Sequence, residues 1–153
     1  MKRRIRIAAA VLSVSALLGA PTALAASSDP GFSKRTAIPI PLDVGTASVD
    51  STGSTASDAR THCGDATNTH VVWFKATAPQ TQLMSANTVG SNEDTVLDVY
   101  QGGKFIGCND DIDPLTNHQS SVTFDAIAGR TYFFKVARFD NGGGGLVVLN
   151  LLG

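Results

Sequence analysis

Short segments in which apolar and polar residues alternate recur along the chain, bounded by glycine, proline, asparagine or aspartate. Alternation with a period of two is typical of β-strands that bury one face. The clearest case, Asp94 to Tyr100 (DTVLDVY), predicts a half-buried strand. Gly102 and Gly103 predict a tight turn, and Lys104 to Cys108 the returning strand. The sequence therefore predicts a hairpin, followed by an acidic loop that ends at Asp113.

About eight or nine strands are predicted in total, and no segment has the period of an amphipathic helix. Pro39 and Pro41 remove hydrogen-bond donors, so the first strand is predicted at a sheet edge. In the last strand, Val147, Leu149 and Leu151 are predicted to point inward. The pattern favours an all-β, jelly-roll-like sandwich, with a barrel as the alternative. The predicted strands cover 37–42, 46–49, 71–77, 83–88, 95–100, 104–108, 121–126, 131–138 and 146–152.

The beginning of the chain has the pattern of a secretory signal peptide. Four basic residues precede an apolar run that ends in Ala23-Leu24-Ala25, which predicts cleavage after Ala25. We expect a flexible arm over residues 26–36 and a single domain over residues 37–153. The signal contains four of the twelve basic residues and none of the thirteen acidic ones, which leaves eight against thirteen and a net charge of −5. This balance favours neither nucleic acid nor an anionic membrane as partner.

Cys63 and Cys108 are the two cysteines of the chain. In a secreted protein an even number of cysteines predicts a disulfide, and here one pairing is available. Two separate thiols are the alternative. The bridge would anchor the Ser51 to Thr69 segment, whose small and polar residues predict a long surface loop.

Several segments resemble the bacterial pre-peptidase C-terminal domain, a secreted β-sandwich module. They are VVWFKATAP (71–79), EDTVLDVYQGG (93–103), GCNDDIDPLTNHQSSVTFDAIAGRTYFFKV (107–136) and GGLVVLNL (144–151). The resemblance implies a jelly-roll-like fold and a non-catalytic accessory role, often in binding or secretion and beside an extracellular peptidase. We expect no catalytic domain before the module within these 153 residues, and we therefore expect the fold and the binding or structural role, rather than the link to a peptidase, to apply.

The acidic loop is the main candidate for a metal site. Calcium is bound by six to eight oxygen ligands, and carboxylates, amides and turn carbonyls provide them. The alternative is that these side chains only form Asx-turns and cap loop amides. Glu93 lies nearby. The candidate calcium ligands are Asp94, Asn109, Asp110, Asp111 and Asp113.

A zinc site can also be drawn from His62, Cys63, Asp65 and His70, but a disulfide would remove the thiolate. His118 is predicted as a solvated turn residue.

Aromatic residues provide the second candidate site. Trp73 and Tyr100 are the candidate binding residues, although Trp73 is more typical of a core plug. Five aromatic residues cannot all face the core if alternation holds; they are Trp73, Tyr100, Phe105, Phe133 and Phe139.

The chain contains no G-x-S-x-G or H-E-x-x-H motif and no phosphate-binding glycine loop. A dispersed Ser–His–Asp triad has no sequence signature and stays open as a hydrolase alternative. We therefore expect a secreted, non-catalytic module that binds an extracellular polymer or a secreted protein and is stabilised by calcium. The alternative is a purely structural or accessory protein associated with an extracellular peptidase.

Overall fold

A computed structural model describes residues 29–41, 45–54, 60–64 and 68–153. The predicted signal peptide and its cleavage site lie outside these ranges. The described residues form nine β-strands and one 3₁₀ turn, Lys34–Thr36, and none of their helices is long and apolar enough to cross a membrane. The strands are β1 Ile38–Pro39, β2 Thr46–Asp50, β3 Thr69–Thr77, β4 Gln82–Asn87, β5 Thr95–Gln101, β6 Lys104–Asn109, β7 Ser121–Ala126, β8 Thr131–Arg138 and β9 Leu146–Leu152.

Two sheets face each other. The five-stranded sheet has the order β1-β3-β8-β5-β6, and the four-stranded sheet has the order β2-β9-β4-β7. In the described part of the chain both sheets keep separate edges, which confirms the predicted all-β sandwich over the barrel. The β1 strand pairs in parallel with β3 at one edge, and Pro39 lies there as predicted.

The core fills the space between the sheets. Phe74, Phe134 and Leu149 are fully buried in it, and Phe124 packs on Tyr132 with ring centroids 5.0 Å apart. The period of two explains this core, because every second residue of each strand faces the opposite sheet. Val147, Leu149 and Leu151 point inward, as the sequence predicted.

The outer face of the five-stranded sheet is also covered, which the sequence did not predict. Residues from Thr95 to Val99 are all fully buried, so β5 is not the half-buried strand expected from its alternation. A second, smaller cluster of Ala37, Val71, Trp73 and Ala137 packs on this outer face. Alternation marks the two faces of a strand, but it cannot show that a distant segment covers the outer one.

One cover of this face is the N-terminal segment. Residues 26–36 were predicted as a flexible arm, but Gly31 pairs with β3 through the Trp73 N–H, 2.6 Å from the Gly31 carbonyl oxygen. Ser33 and Thr36 form a capping box around the 3₁₀ turn. Gly31 has a φ of 87°, and a Cβ there would lie 2.8 Å from Ile38 Cδ1. Gly31 and the 3₁₀ turn are therefore held against the sheet, while Asp29, Pro30, Ser33 and Arg35 are exposed.

Candidate functional site

The acidic end of the sandwich is formed where β5 begins and β6 ends. These strands are antiparallel neighbours, so Asp94 before β5 and Asp111 after β6 lie at the same end. His118 reaches this end from the segment that precedes β7, and its carbonyl oxygen accepts the Thr95 N–H at 3.0 Å. Three separate segments thus contribute one side chain each.

Asp94, Asp111 and His118 each place one ligand atom within 4.8 Å of the other two. His118 Nδ1 lies 3.3 Å from Asp111 Oδ1 and 3.8 Å from Asp94 Oδ2. The Oδ1 atoms of both aspartates are shielded from solvent and have no hydrogen-bond partner. Burial and then the neighbouring Asp111 charge raise the pKa of Asp94, while His118 opposes the rise. The arrangement favours a positive charge between the two carboxylates.

The other predicted calcium ligands are positioned differently. Asn109 Oδ1 accepts the Ser121 N–H at 2.9 Å. Asp113 accepts the Leu115 N–H at 2.9 Å and the Thr116 hydroxyl at 2.7 Å, and these bonds lower the pKa of Asp113. Asp113 thus forms the turn contacts that its chemistry favours without an ion. Asn109 instead joins the end of β6 to the start of β7.

Asp110 points towards the disulfide-bonded loop, since a Cβ on Gly64 would lie 3.3 Å from Asp110 Oδ2. Of the five predicted ligands, the structure therefore brings Asp94 and Asp111 together and adds His118. His118 lies in the segment just before β7, and the sequence carried no local signal that it would meet these aspartates.

The predicted disulfide is present: Cys63 bonds Cys108 with the Cα atoms 5.7 Å apart. It fixes residues 60–64 on the outer face of the five-stranded sheet. The loop closed by a bridge of sequence separation 45 should contribute roughly 4 kcal/mol through the chain entropy of the unfolded state. The zinc site considered at His62, Cys63, Asp65 and His70 has no thiolate ligand, because Cys63 is in the disulfide. Asp65 lies outside the described residues.

Under this loop lies Asp98, a fully buried carboxylate in the middle of β5. It accepts the His62 backbone N–H at 3.0 Å and the Tyr100 hydroxyl at 2.8 Å. The His62 ring atom Nδ1 lies 3.0 Å from Asp98 Oδ2. Asp98 therefore fixes both the backbone and the ring of His62.

The His62 ring lies on the ring of Phe105. The centroids are 3.7 Å apart and the planes are inclined by 18°, so the rings are stacked. The His62 side chain is 47% exposed and Phe105 is 36% exposed. Tyr100 contacts Phe105 edge-on at 5.9 Å. An ordered aromatic pair thus reaches the surface beside the disulfide.

The two predicted binding residues differ in access. Trp73 is only 4% exposed, and the ammonium groups of Lys34 and Lys135 lie 5.8 and 5.7 Å from its ring centroid. Its indole is therefore covered, whereas Tyr100 is half-buried behind Phe105. The sequence did not predict that His62 stacks on an aromatic ring at the surface, because its partner Phe105 lies 43 positions away in the chain.

No family model matches the sequence, and no curated protein matches it. Among solved structures, a pre-peptidase C-terminal domain of collagenase from Bacillus anthracis superimposes with a TM-score of 0.51 at 13% identity, covering 76% of this chain and 94% of that chain. CorA, a surface-associated copper-binding protein of Methylomicrobium album, has a TM-score of 0.52 at 10% identity, over 75% and 96% of the two chains.

PliG, a periplasmic inhibitor of g-type lysozyme from Aeromonas hydrophila, has a TM-score of 0.44 at 15% identity, over 75% and 91% of the two chains. At their identities the superpositions on the collagenase domain and on CorA establish the fold and nothing finer. The fold of this chain is that of the pre-peptidase C-terminal domain, which its sequence motifs resemble.

Proposed function

We propose that this chain is a secreted, non-catalytic β-sandwich module that binds an extracellular polymer or a secreted protein. The observation that carries the proposal is the exposed stack of His62 on Phe105. Aromatic side chains supply a large contact area with few rotatable bonds, so they often anchor binding partners.

The stack is held in place before any partner binds. Asp98 fixes the His62 ring from below, and the Cys63–Cys108 bridge fixes the next residue of the loop. A surface that is already ordered loses little conformational entropy on binding. This pre-organisation supports a role in recognition for the aromatic pair.

Secretion is supported by the signal-like N-terminus and by the disulfide, which is stable in an oxidising compartment. The non-catalytic role is the one that the resemblance to the pre-peptidase C-terminal domain implies. The His62 ring nitrogen Nδ1 lies within hydrogen-bond distance of Asp98 and Tyr100, and these contacts position the ring for binding.

The binding proposal is tested by incubating the mature chain with insoluble chitin, cellulose, collagen and bacterial cell wall and measuring its depletion from solution. A double variant, His62→Ala with Phe105→Ala, serves as the matched chain without the stack. We expect at least one material to deplete the wild-type chain and not the double variant. If none depletes it, or if both chains are depleted equally, the stack is not a polymer-binding surface and the structural role beside a peptidase becomes the better account.

We also propose that a divalent cation stabilises the acidic end, calcium being the ion expected from the sequence. The supporting observation is that the Oδ1 atoms of Asp94 and Asp111 are shielded from solvent and accept no hydrogen bond. Buried polar atoms without a partner are rare in folded proteins, and an ion would satisfy these two.

The cation proposal is tested by thermal unfolding with added calcium or with chelator. Asp111→Asn removes a ligand charge, and Asp113→Asn changes a carboxylate of the same loop outside the site. We expect calcium to raise the melting temperature of the wild-type chain and of Asp113→Asn, and to leave Asp111→Asn unchanged. If calcium leaves the melting temperature of each of the three chains unchanged, calcium binding at this site is refuted.

A further inference from the structure

We propose that His118 completes the acidic-end site and that this site takes a transition-metal ion of the zinc type in preference to calcium. The inference rests on the proposed cation site and concerns the class of ion. The proposed ligands are one carboxylate oxygen each from Asp94 and Asp111 and the Nδ1 atom of His118.

The chemistry of the donors distinguishes the two classes of ion. Calcium takes six to eight oxygen ligands, and the converging side chains provide only two carboxylates. Neutral imidazole is a common ligand of zinc and other borderline ions, which also accept carboxylate oxygen. One nitrogen and two oxygens therefore suit zinc better than calcium.

The distances agree with a small ion. Two ligands bonded to tetrahedral zinc at about 2.1 Å lie about 3.4 Å apart. The His118 Nδ1 atom is 3.3 Å from Asp111 Oδ1 and 3.8 Å from Asp94 Oδ2, so small side-chain rotations would reach this geometry.

A second observation concerns the same ligand atom. Asp111 Oδ1, which faces His118 Nδ1, is shielded from solvent and accepts no hydrogen bond. A shielded carboxylate oxygen normally has a donor or an ion as partner. The oxygen that faces the imidazole at 3.3 Å thus accepts no hydrogen bond, and a metal ion bound by both atoms would take the place of this ion pair.

The test is isothermal titration calorimetry of the mature chain with zinc chloride and, separately, with calcium chloride in metal-free buffer at neutral pH. Three variants accompany the wild-type chain. His118→Ala removes the imidazole, Asp111→Asn removes a carboxylate, and His70→Asn removes a histidine outside the site at a positive φ that asparagine tolerates.

We expect one zinc per chain, bound at least about tenfold more tightly than calcium. His118→Ala should weaken zinc at least about tenfold and leave any calcium binding unchanged, Asp111→Asn should abolish both, and His70→Asn should match the wild-type chain.

Calcium binding as tight as zinc binding and insensitive to His118→Ala would overturn this inference and leave the proposed calcium site standing. Absence of heat with either ion would refute both. If His70→Asn weakens zinc binding and His118→Ala does not, the ion binds elsewhere and the inference is contradicted.

Discussion

Two buried carboxylates of this chain are stabilised by different means. Asp98 is fully buried but receives the His62 N–H and the Tyr100 hydroxyl, so its oxygens are satisfied by neighbours fixed in the fold. Glu93 is nearly buried, and its Oε1 atom accepts Arg138 Nη1 at 3.3 Å while Oε2 has no hydrogen-bond partner. Unsatisfied burial disfavours the charged form of a carboxyl group. The stability of the fold should therefore depend on the protonation of Glu93.

We expect Glu93→Gln to change how stability varies with pH. Burial raises the pKa of Glu93 above its usual value, and Arg138 opposes the rise. Since the folded chain holds this proton more tightly, the contribution of Glu93 is full below the pKa of the unfolded chain and is lost as pH rises through the folded pKa. The free energy of unfolding of the wild-type chain, relative to Glu93→Gln, should fall between pH 4 and pH 7.

Urea unfolding of both chains at the two pH values measures this difference, and titrating groups distant from Glu93 cancel in the comparison. A wild-type advantage that grows with pH would mean that the attraction to Arg138 exceeds the cost of burial, contrary to the prediction.

At the scale of single residues, the sequence indicated which polar residues form the acidic end better than it indicated which residues they contact. Asp94 and Asp111 were predicted as ligands of one site, and the structure brings them together. His118 was predicted to be a solvated turn residue, and its side chain is 52% exposed. Its contact with Asp94, 24 positions away, was not predicted, because a lone histidine in a polar loop has no local signal for such a neighbour. Its contacts depend on the pairing of β5 with β6, which no local pattern specifies.

Among the elements of the fold, the glycine-rich turn before β9 is packed rather than open. A Cβ on Gly144 would lie 2.5 Å from the backbone N and Cα atoms of Thr52, and one on Gly145 would lie 2.6 Å from Glu93 Oε1. A Cβ on Gly143 would have none of these close contacts, since no heavy atom would lie within 4 Å of it. Close backbone contact therefore requires glycine at some positions of the turn and not at others.

Gly144→Ala should lower the free energy of unfolding by about 1–3 kcal/mol, because the backbone of Thr52 must move to admit the methyl group. Gly143→Ala is the matched control, and it should stay within about 0.5 kcal/mol of the wild-type chain. Urea unfolding at constant pH measures both. Equal stability of the two variants would show that the Gly144 contact with Thr52 is absent in solution.

The strands themselves could be predicted because their signals are local. Alternation and turn residues located β7, β8 and β9 at the residues where the structure has them, and the prolines located β1 at an edge. Burial of the outer face of β5 could not be predicted. It depends on the segment that begins at Gly31 and on the loop that contains His62, and neither has a pattern that marks it as a cover.

At the scale of the whole molecule, the sandwich presents two different outer faces. The outer face of the five-stranded sheet is covered by the N-terminal segment and the disulfide-bonded loop. The stack of His62 on Phe105 lies at the surface of this face. The four-stranded sheet has no such cluster among its described residues and exposes single apolar side chains such as Leu83, which is 63% exposed. The proposed function therefore assigns recognition to one face.

The number and spacing of strands were enough to predict a sandwich, and the motif order was enough to predict its resemblance to the pre-peptidase C-terminal domain. The sheet order was not predictable in the same way. Neighbours such as β3 and β8 are more than 50 residues apart in sequence, and their register is set by core packing across the whole domain.

The central claim is tested most directly by the affinity of two single variants for a material that binds the wild-type chain. Phe105→Ala removes the exposed ring of the stack, and Leu83→Ala removes an exposed apolar side chain of the other sheet. We predict that Phe105→Ala raises the dissociation constant by about 10- to 30-fold, as expected for an aromatic anchor, and that Leu83→Ala changes it less than about twofold. Weakened binding by Leu83→Ala together with unchanged binding by Phe105→Ala would contradict the account.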